Sequence, residues 1–378
     1  MHTHLFRVIW VITLAAAIST ARASGQEPPS PRPPENLPWP KYQSLDWSAD
    51  GAVQNRDSAN GLELPGSSAV TETAPLQTGT NTDVVPYFAG PTMQPDDWPT
   101  RGVSVFVGYD AWRGTSDGGW ENNGIHAGAN FGSRLGRFSD WTGIGGQLGG
   151  SMGAFNWSGT DYRMSHQDES QPQGFLTYGL FRKARDDSKW NAALVHDWMF
   201  NSNYSVFAVN PTLAQWRAQL GYAVNASNEF GVWGTWRLLS DTRQVNFFGP
   251  VTWRPLGQFN PYWHHKWEAG GADTWLWIGL PERDRLTGTG SLGDYIAGAA
   301  ANCPLSERVS LYTLVTYMHP SASAGPVAAR EDAWNFTIGI SFYPARNARS
   351  TTVSGQTWMP LMPVANNGYF LVDASHNY

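Results

Sequence analysis

The chain has 378 residues, of which 41% are hydrophobic and only 15% charged, against roughly 25% charged in an ordinary soluble domain. A formal net charge of −6 with no basic patch argues against a nucleic-acid partner. A lone cysteine, Cys303, excludes an intrachain disulfide and any cysteine-based metal site.

The composition includes Gly 40, Trp 20, Tyr 14 and Phe 17. Glycine-and-aromatic enrichment suits strands that face lipid and meet a headgroup layer. The mean hydropathy is nonetheless −0.38. A barrel reconciles the two, because every second residue of each strand turns into a wet lumen and cancels its lipid-facing neighbour. On composition alone the rival is a secreted, Trp-rich carbohydrate-binding β protein, with Trp233, Trp263 and Trp267 as candidate sugar platforms.

At the amino terminus Arg7 supplies a positive region, residues 8–18 (VIWVITLAAAI) an apolar core, and Ala21-Arg22-Ala23 a small-residue cleavage site. Residues 1–23 therefore read as a secretory signal peptide. The apolar run is shorter than the ~20 residues of a helical span, and no other stretch approaches it. An exported chain without spanning helices is periplasmic, extracellular or an outer-membrane barrel. Residues 24–100 carry EPPSPRPPENLPWP and then Ser, Thr, Gly and Asn without periodicity, so they cannot bury enough apolar surface to offset ordering. They are read as a disordered periplasmic extension.

From Gly102 the texture changes to runs of about ten residues with period-2 alternation, separated by turn-forming clusters. GVSVFVGYDAWR, GIHAGANFG, TGIGGQLGGSMGAF, QGFLTYGLFR and KWNAALVHDW come first. Gly145, Gly149 and Gly153 in the third are expected to relieve crowding where a barrel strand coils strongly. TLAQWRAQLGYAV follows, with Ala214, Trp216, Ala218, Leu220 and Tyr222 on one face and Gln215, Arg217 and Gln219 on the other. After EFGVWGTWRLL come three candidates between Leu239 and Gly293: VNFFGPVTW, NPYWHHKWEA and DTWLWIGL. The chain closes with GDYIAGAAANC, RVSLYTLVTYM and AWNFTIGISFY; in the last, Trp334, Phe336, Ile338, Ile340 and Phe342 oppose Asn335, Thr337, Gly339 and Ser341.

Linkers near residues 185–188, 225–228 and 304–307 are tight, and those near 156–172, 200–211 and 319–332 are long. Membrane barrels alternate short periplasmic turns with longer external loops. An ascending start and a descending finish demand an even count, so one of the three central candidates has to drop out. The Gly270-Gly271 turn joins the second to the third, which leaves VNFFGPVTW in an external loop. The expectation is an all-β fold: a closed antiparallel transmembrane β-barrel of about twelve strands over residues 101–343. Residues 344–378 form a tail that caps or plugs it. Barrel-assembly signals resemble the aromatic alternation that ends at Phe342, so the assembly machinery and outer-membrane lipid are the expected partners.

The combination of this amino terminus with GGADTWLWIGLPE and the closing WMPLMPVANNGYFLVD resembles an uncharacterised family of planctomycete outer-membrane β-barrel proteins. The resemblance runs from Gly102 onward and is most specific in residues 358–372. It implies a barrel in an outer membrane and transfers no catalytic or binding residue.

Few residues suggest chemistry. His264 and His265 are adjacent and so point to opposite faces of a strand, and with His126 and His196 distant no metal set forms. No G-x-S-x-G elbow appears, and Gly150-Ser151 lies in a glycine-rich strand, so an outer-membrane acyl hydrolase is the lesser alternative. Asp117, Glu121, Asn122 and Asn123 offer oxygens without the spacing of a calcium loop. No catalytic residue, metal or cofactor is expected. If the apolar faces look outward, Asp110, Gln147, Arg217, Arg237 and Asp294 project inward as pore-lining residues. They either set selectivity in a porin-like passage for small polar solutes or pair across a filled, structural interior.

Overall fold

The computed structural model describes residues 102–117, 121–156, 170–185, 188–245, 248–267, 270–284, 286, 292–321, 333–345, 348–349 and 358–375. The signal peptide and the Pro-rich segment read from the sequence lie outside the described residues.

Period-2 alternation from Val103 onward produces long antiparallel strands, each paired with the next. They are β1 (Val103–Arg113), β2 (Asn122–Arg134), β3 (Ile144–Phe155), β4 (Gln171–Arg182), β5 (Trp190–Asn201), β6 (Thr212–Ala223) and β7 (Asn228–Leu239). β8 (Asp241–Val245) and β9 (Gly249–Pro255) form a hairpin outside the wall. The wall resumes with β10 (Gln258–Trp267), β11 (Ala272–Pro281), β12 (Gly293–Pro304), β13 (Val309–Pro320) and β14 (Ala333–Phe342). β7 pairs with β10, and β14 pairs back onto β1 from Val105↔Phe342 to Arg113↔Trp334. The result is a closed barrel of twelve strands with VNFFGPVTW excluded from it, as loop-length parity and the Gly270-Gly271 turn lead one to expect. Closure matters physically because it leaves no unpaired edge.

The two rims differ. At the turn end, β4 and β5 are joined through the Arg185↔Ser188 bridge, and β12 and β13 through a four-residue link whose Leu305 and Ser306 amides both bond the Val309 carbonyl. The β2–β3 connection at this rim holds a helical turn that the sequence patterning does not announce, α1 (Arg137–Thr142), bounded by Gly136 (φ 60) and Gly143 (φ 72). Ser139 braces it, its hydroxyl accepting from Leu135 N and donating to the Ile144 carbonyl, both at 2.6 Å. The turn presents Leu135, Phe138 and Trp141 outward, with Trp141 86% exposed. At the loop end lie the β8–β9 hairpin and the bridged loop from Ser202 to Pro211.

The outer surface is the apolar one. Val107 on β1, Leu148 and Met152 on β3, Phe259 on β10, Ile278 on β11 and Ile340 on β14 are exposed. The opposite row of each strand is polar and buried: Asn130, Thr177, Asp197, Arg217, Asn335 and Thr337 all face in. This inside-out arrangement inverts a soluble protein and is that of a lipid-facing barrel. Leu220, on the outer face of β6, carries a direct expectation. Leu220→Arg should cost about 2–4 kcal/mol if its level is the bilayer mid-plane and less toward either rim. Denaturant unfolding in vesicles reads this; a neutral effect would reverse the assignment of faces.

Candidate functional site: the lumen and its threaded segment

The lumen is occupied by the chain itself. Trp358 enters at the turn end beside Gly102, Gly132 and Gly145, where any Cβ would meet its backbone or its ring. The Arg185 guanidinium lies 5.4 Å from the Trp358 ring centroid. Gly149 leaves comparable room for Val364, whereas Gly153 lies against Phe155 and His126. The lumen-facing glycines of β3 thus make space for the segment and for inward rings, a more local reason than strand coiling.

From Trp358 to Leu371 the segment has no strand pairing, so its backbone groups need other partners. The inward polar rows supply them. The Met362 carbonyl accepts from Asn130 Nδ2 (2.9 Å) and Gln147 Nε2 (3.1 Å). The Pro363 carbonyl accepts from Arg217 Nη2 (2.8 Å), and the Ala365 amide donates to Thr177 Oγ1 (3.0 Å). Asn367 donates to Asp110 Oδ2 (3.2 Å) and exchanges hydrogen bonds with Gln173. Gln215 and Gln258 both donate to the Tyr369 carbonyl. Each such bond between neutral groups contributes roughly 0.5–1.5 kcal/mol net, so the number of them is what fixes the segment.

At the loop end the segment joins a sheet. β15 (Val372–Ala374) pairs antiparallel with β9, and the Leu371 carbonyl accepts from Leu256 N (2.8 Å). Asp373 is fully buried and bonded by Arg254 Nε at 3.1 Å; Arg254 also reaches Asp284 Oδ2 at 3.1 Å. Arg254 and Arg237 hold the Asp284 carboxyl below its usual range, whereas burial pushes neighbouring Glu282 up. Phe370, Val372 and Ala374 sit in an apolar cluster with Trp112, Phe155, Tyr204, Phe207 and Trp253. Leu371 belongs to a second cluster with Leu256, Ile296 and Met318. Among the described residues, packed side chains therefore anchor the segment at the loop end.

The electrostatic centre is Arg217. Its guanidinium makes a two-point contact with Asp197, Nε to Oδ2 at 2.9 Å and Nη2 to Oδ1 at 3.1 Å, and lies 4.9 Å from the Tyr369 ring centroid. Asp197 also accepts from Thr177 (2.7 Å) and Gln215 (3.2 Å), so the pair is buried but richly bonded. Asp110 accepts from Asn335 Nδ2 (2.6 Å) and Thr337 Oγ1 (2.8 Å) besides Asn367. A second polar group lies nearer the turn end. Glu229 accepts from Asn191 Nδ2 (2.6 Å) and from the Tyr262 hydroxyl, and His264 lies between Glu229 (3.6 Å) and Asp273 (3.1 Å).

Lys183, just past the end of β4, is buried at the same rim, and burial lowers its pKa to about 7 despite the attraction of Asp273. Between about 7 and the free value of 10.5 the unfolded chain holds more protons at this site than the folded one. Stability therefore rises with pH across that window, by at most about 1.4 kcal/mol per unit for one proton. Lys183→Met removes this slope, so the variant should gain on the wild type at pH 6 and lose the advantage by pH 10. Parallel unfolding curves for the two proteins over that range would contradict it.

The polar residues singled out from sequence divide into two groups. Asp110, Gln147 and Arg217 come together around the threaded segment and bond it rather than facing open water. Arg237 stands at the loop-end rim, paired with Glu282 at 3.0 Å and with Asp284 at 3.4 Å. Asp294 lies apart from the others. The β12–β13 register shifts between Gly293 and Tyr295, and the Asp294 side chain, 46% exposed, sits 3.6 Å from His319 at the rim. His264 faces the lumen, stacked on Trp275 at 4.2 Å, and His265 lies outside, bonded to Asn228, so the pair shares no site. His196 is packed outside against Tyr178 (2.6 Å) and under Trp216. Trp233 is inward while Trp263 and Trp267 are outward, so the three form no common sugar platform. Asp117 caps the Gly114 amide at 2.6 Å, and Asn122 accepts from Asn156, which gives both a structural role. Sequence reasoning missed Asp197, Thr177, Asn335, Thr337 and Asn367. The polar row of AWNFTIGISFY was a signal for two of them.

A cavity of about 250 Å3 remains beside the threaded segment. Trp233, Tyr262, Trp277, Leu314 and Tyr312 form much of its wall, with Asp110, His126, Asn130 and Arg217 among its polar residues. Tyr312 crosses the seam over Gly108 and Gly339, which are register partners, and its hydroxyl meets His126 Nε2 at 2.8 Å. Trp277 lies flat on its partner Gly298. Rings laid against glycines keep the cavity from being filled by the wall.

The family of unknown function DUF6666 matches the chain over residues 102–372. No curated protein matches. Among solved structures, the chain is similar to the β-domain of the Bordetella autotransporter BrkA (12% identity, TM-score 0.38, covering 64% of this chain and 98% of that one). It is also similar to the NanC porin (12%, 0.35, covering 64% and 98%). A third is the Salmonella typhi outer membrane phospholipase (9%, 0.37, covering 64% and 91%). At these scores the barrel assignment rests on the chain's own strand pairing.

Proposed function

The chain belongs to that family of unknown function, and we propose that it is an outer-membrane, porin-like barrel for small polar solutes whose resting state is closed by its own carboxyl-terminal segment. The observation that carries this is the course of residues 358–375, which cross the lumen from one rim to the other and pack into apolar clusters at the loop end. The apolar outer surface and its half-exposed aromatics support a lipid environment, with Trp141 and Phe138 of α1 suited to the headgroup layer at the turn end. The hydrogen bonds to the segment come mostly from side chains, so it can leave without unzipping the wall.

The test is planar-bilayer conductance. The full chain should show low, infrequent conductance, and a chain lacking residues 358–378 should show steady openings that respond to Arg217→Glu. A truncated barrel that inserts and stays silent would leave the protein a structural surface barrel.

A further inference from the structure

Three features of the cavity bear on what it holds, if the lumen is the solute-facing space. First, polar atoms on three of its lining residues have no hydrogen-bond partner: Trp277 Nε1, Asn130 Oδ1 and His126 Nδ1. All three residues are more than nine-tenths buried, at 6%, 7% and 8% exposure. A buried donor or acceptor left unpaired costs about 1–3 kcal/mol, so a ligand supplying the partners is favoured there. Second, the apolar wall is made of rings. Trp233 and Trp277 meet edge to face at 5.8 Å, and Tyr369 of the threaded segment stacks on Trp277 at 6.4 Å. Third, the charged groups on the wall are already engaged, Arg217 by Asp197 and the Pro363 carbonyl, and Asp110 by Asn335, Thr337 and Asn367.

Ring faces favour a ring, an unpaired donor and an unpaired acceptor favour hydroxyl groups, and committed charges disfavour an ion. We infer that this cavity is a binding site for a neutral, hydroxylated ring compound. A cavity of about 150 Å3 holds a benzene; the one here, at about 250 Å3, leaves room for a ring with its hydroxyls. A pyranose sugar and a phenol share this chemistry. Binding has to turn Trp277 Nε1–H and Asn130 Oδ1, both packed out of solvent contact, onto a ligand oxygen and a ligand hydroxyl.

Calorimetric titration of the full chain in detergent micelles tests this with methyl glucoside, phenol and glucuronate as probes. Saturable binding of methyl glucoside or of phenol is expected, with the responding probe identifying the source, and glucuronate should bind at least tenfold more weakly. Trp277→Phe keeps a ring face and removes the donor, so it should weaken binding about tenfold. Ala300→Leu, which fills space at a partly buried lining position, should abolish binding and provides a second reading if Trp277→Phe does not fold. Trp263→Phe, on the outer surface, should change nothing. No saturable heat with either neutral probe, equal binding by both cavity variants, or preferred binding of glucuronate would overturn the assignment. Because the titration needs no current, binding without conductance would refute the passage reading alone.

Discussion

Replacing Arg217 by Met is expected to destabilise the barrel by about 3–5 kcal/mol, the cost of leaving one member of a buried ion pair alone. Arg217 and Asp197 have side chains 1% and 0% exposed, and Asp197 would keep only Thr177 and Gln215 as partners. The same substitution removes the donor to the Pro363 carbonyl and the cation over Tyr369, so the threaded segment should loosen as well. Two readouts separate these effects. The denaturant midpoint in micelles reports the wall, and protease cleavage within residues 358–375 of the folded barrel reports the segment. The double variant Arg217→Met, Asp197→Leu should recover much of the stability, because it leaves no unpaired charge, without restoring protection of the segment. A single variant as stable as the wild type would mean that the pair is hydrated.

Gly132→Val is expected to act through space rather than charge. A side chain there would run into the Trp358 carbonyl and the Pro360 ring at the point where the segment enters. Overpacking of this kind costs about 1–3 kcal/mol. The wall can relieve it by expelling the segment, so conductance should rise toward that of the chain lacking residues 358–378. Gly150→Ala is the control, since a Cβ on that glycine finds only an ordinary contact with the Phe175 carbonyl at 3.4 Å. If Gly132→Val is as silent as the full chain, the segment does not obstruct current.

The wall was legible in the sequence because its physics is local. In β6 and β14 the alternation fixes the outward row, from Trp216 to Tyr222 and from Trp334 to Phe342, and the structure places both rows outside. Parity of short and long linkers, with the Gly270-Gly271 turn, was enough to exclude VNFFGPVTW, which covers most of β9, from the wall; β8 was not read from the sequence. The filling was not legible. Residues 358–371 have no period because they follow neither a strand nor a helix, and their partners lie on strands brought together only by closure. Asn130, Thr177 and Arg217, far apart in the chain, bond three of four successive residues, Met362, Pro363 and Ala365. Asp294 shows a different limit: a register shift beside it defeats an inside-or-outside rule that counts residues by twos.

An even number of strands returns a chain to the rim it left, and β14 ends where β1 begins. The threaded segment undoes that return. By Ser375, whose amide bonds Thr252 in the hairpin beyond the loop end, the backbone stands on the far side from Val103. In the proposed membrane setting the polypeptide is thus a continuous covalent tether between two compartments. A reporter fused after Tyr378 should be accessible from the loop side while one placed ahead of Gly102 is accessible from the turn side, and withdrawal of the segment would bring both to one face.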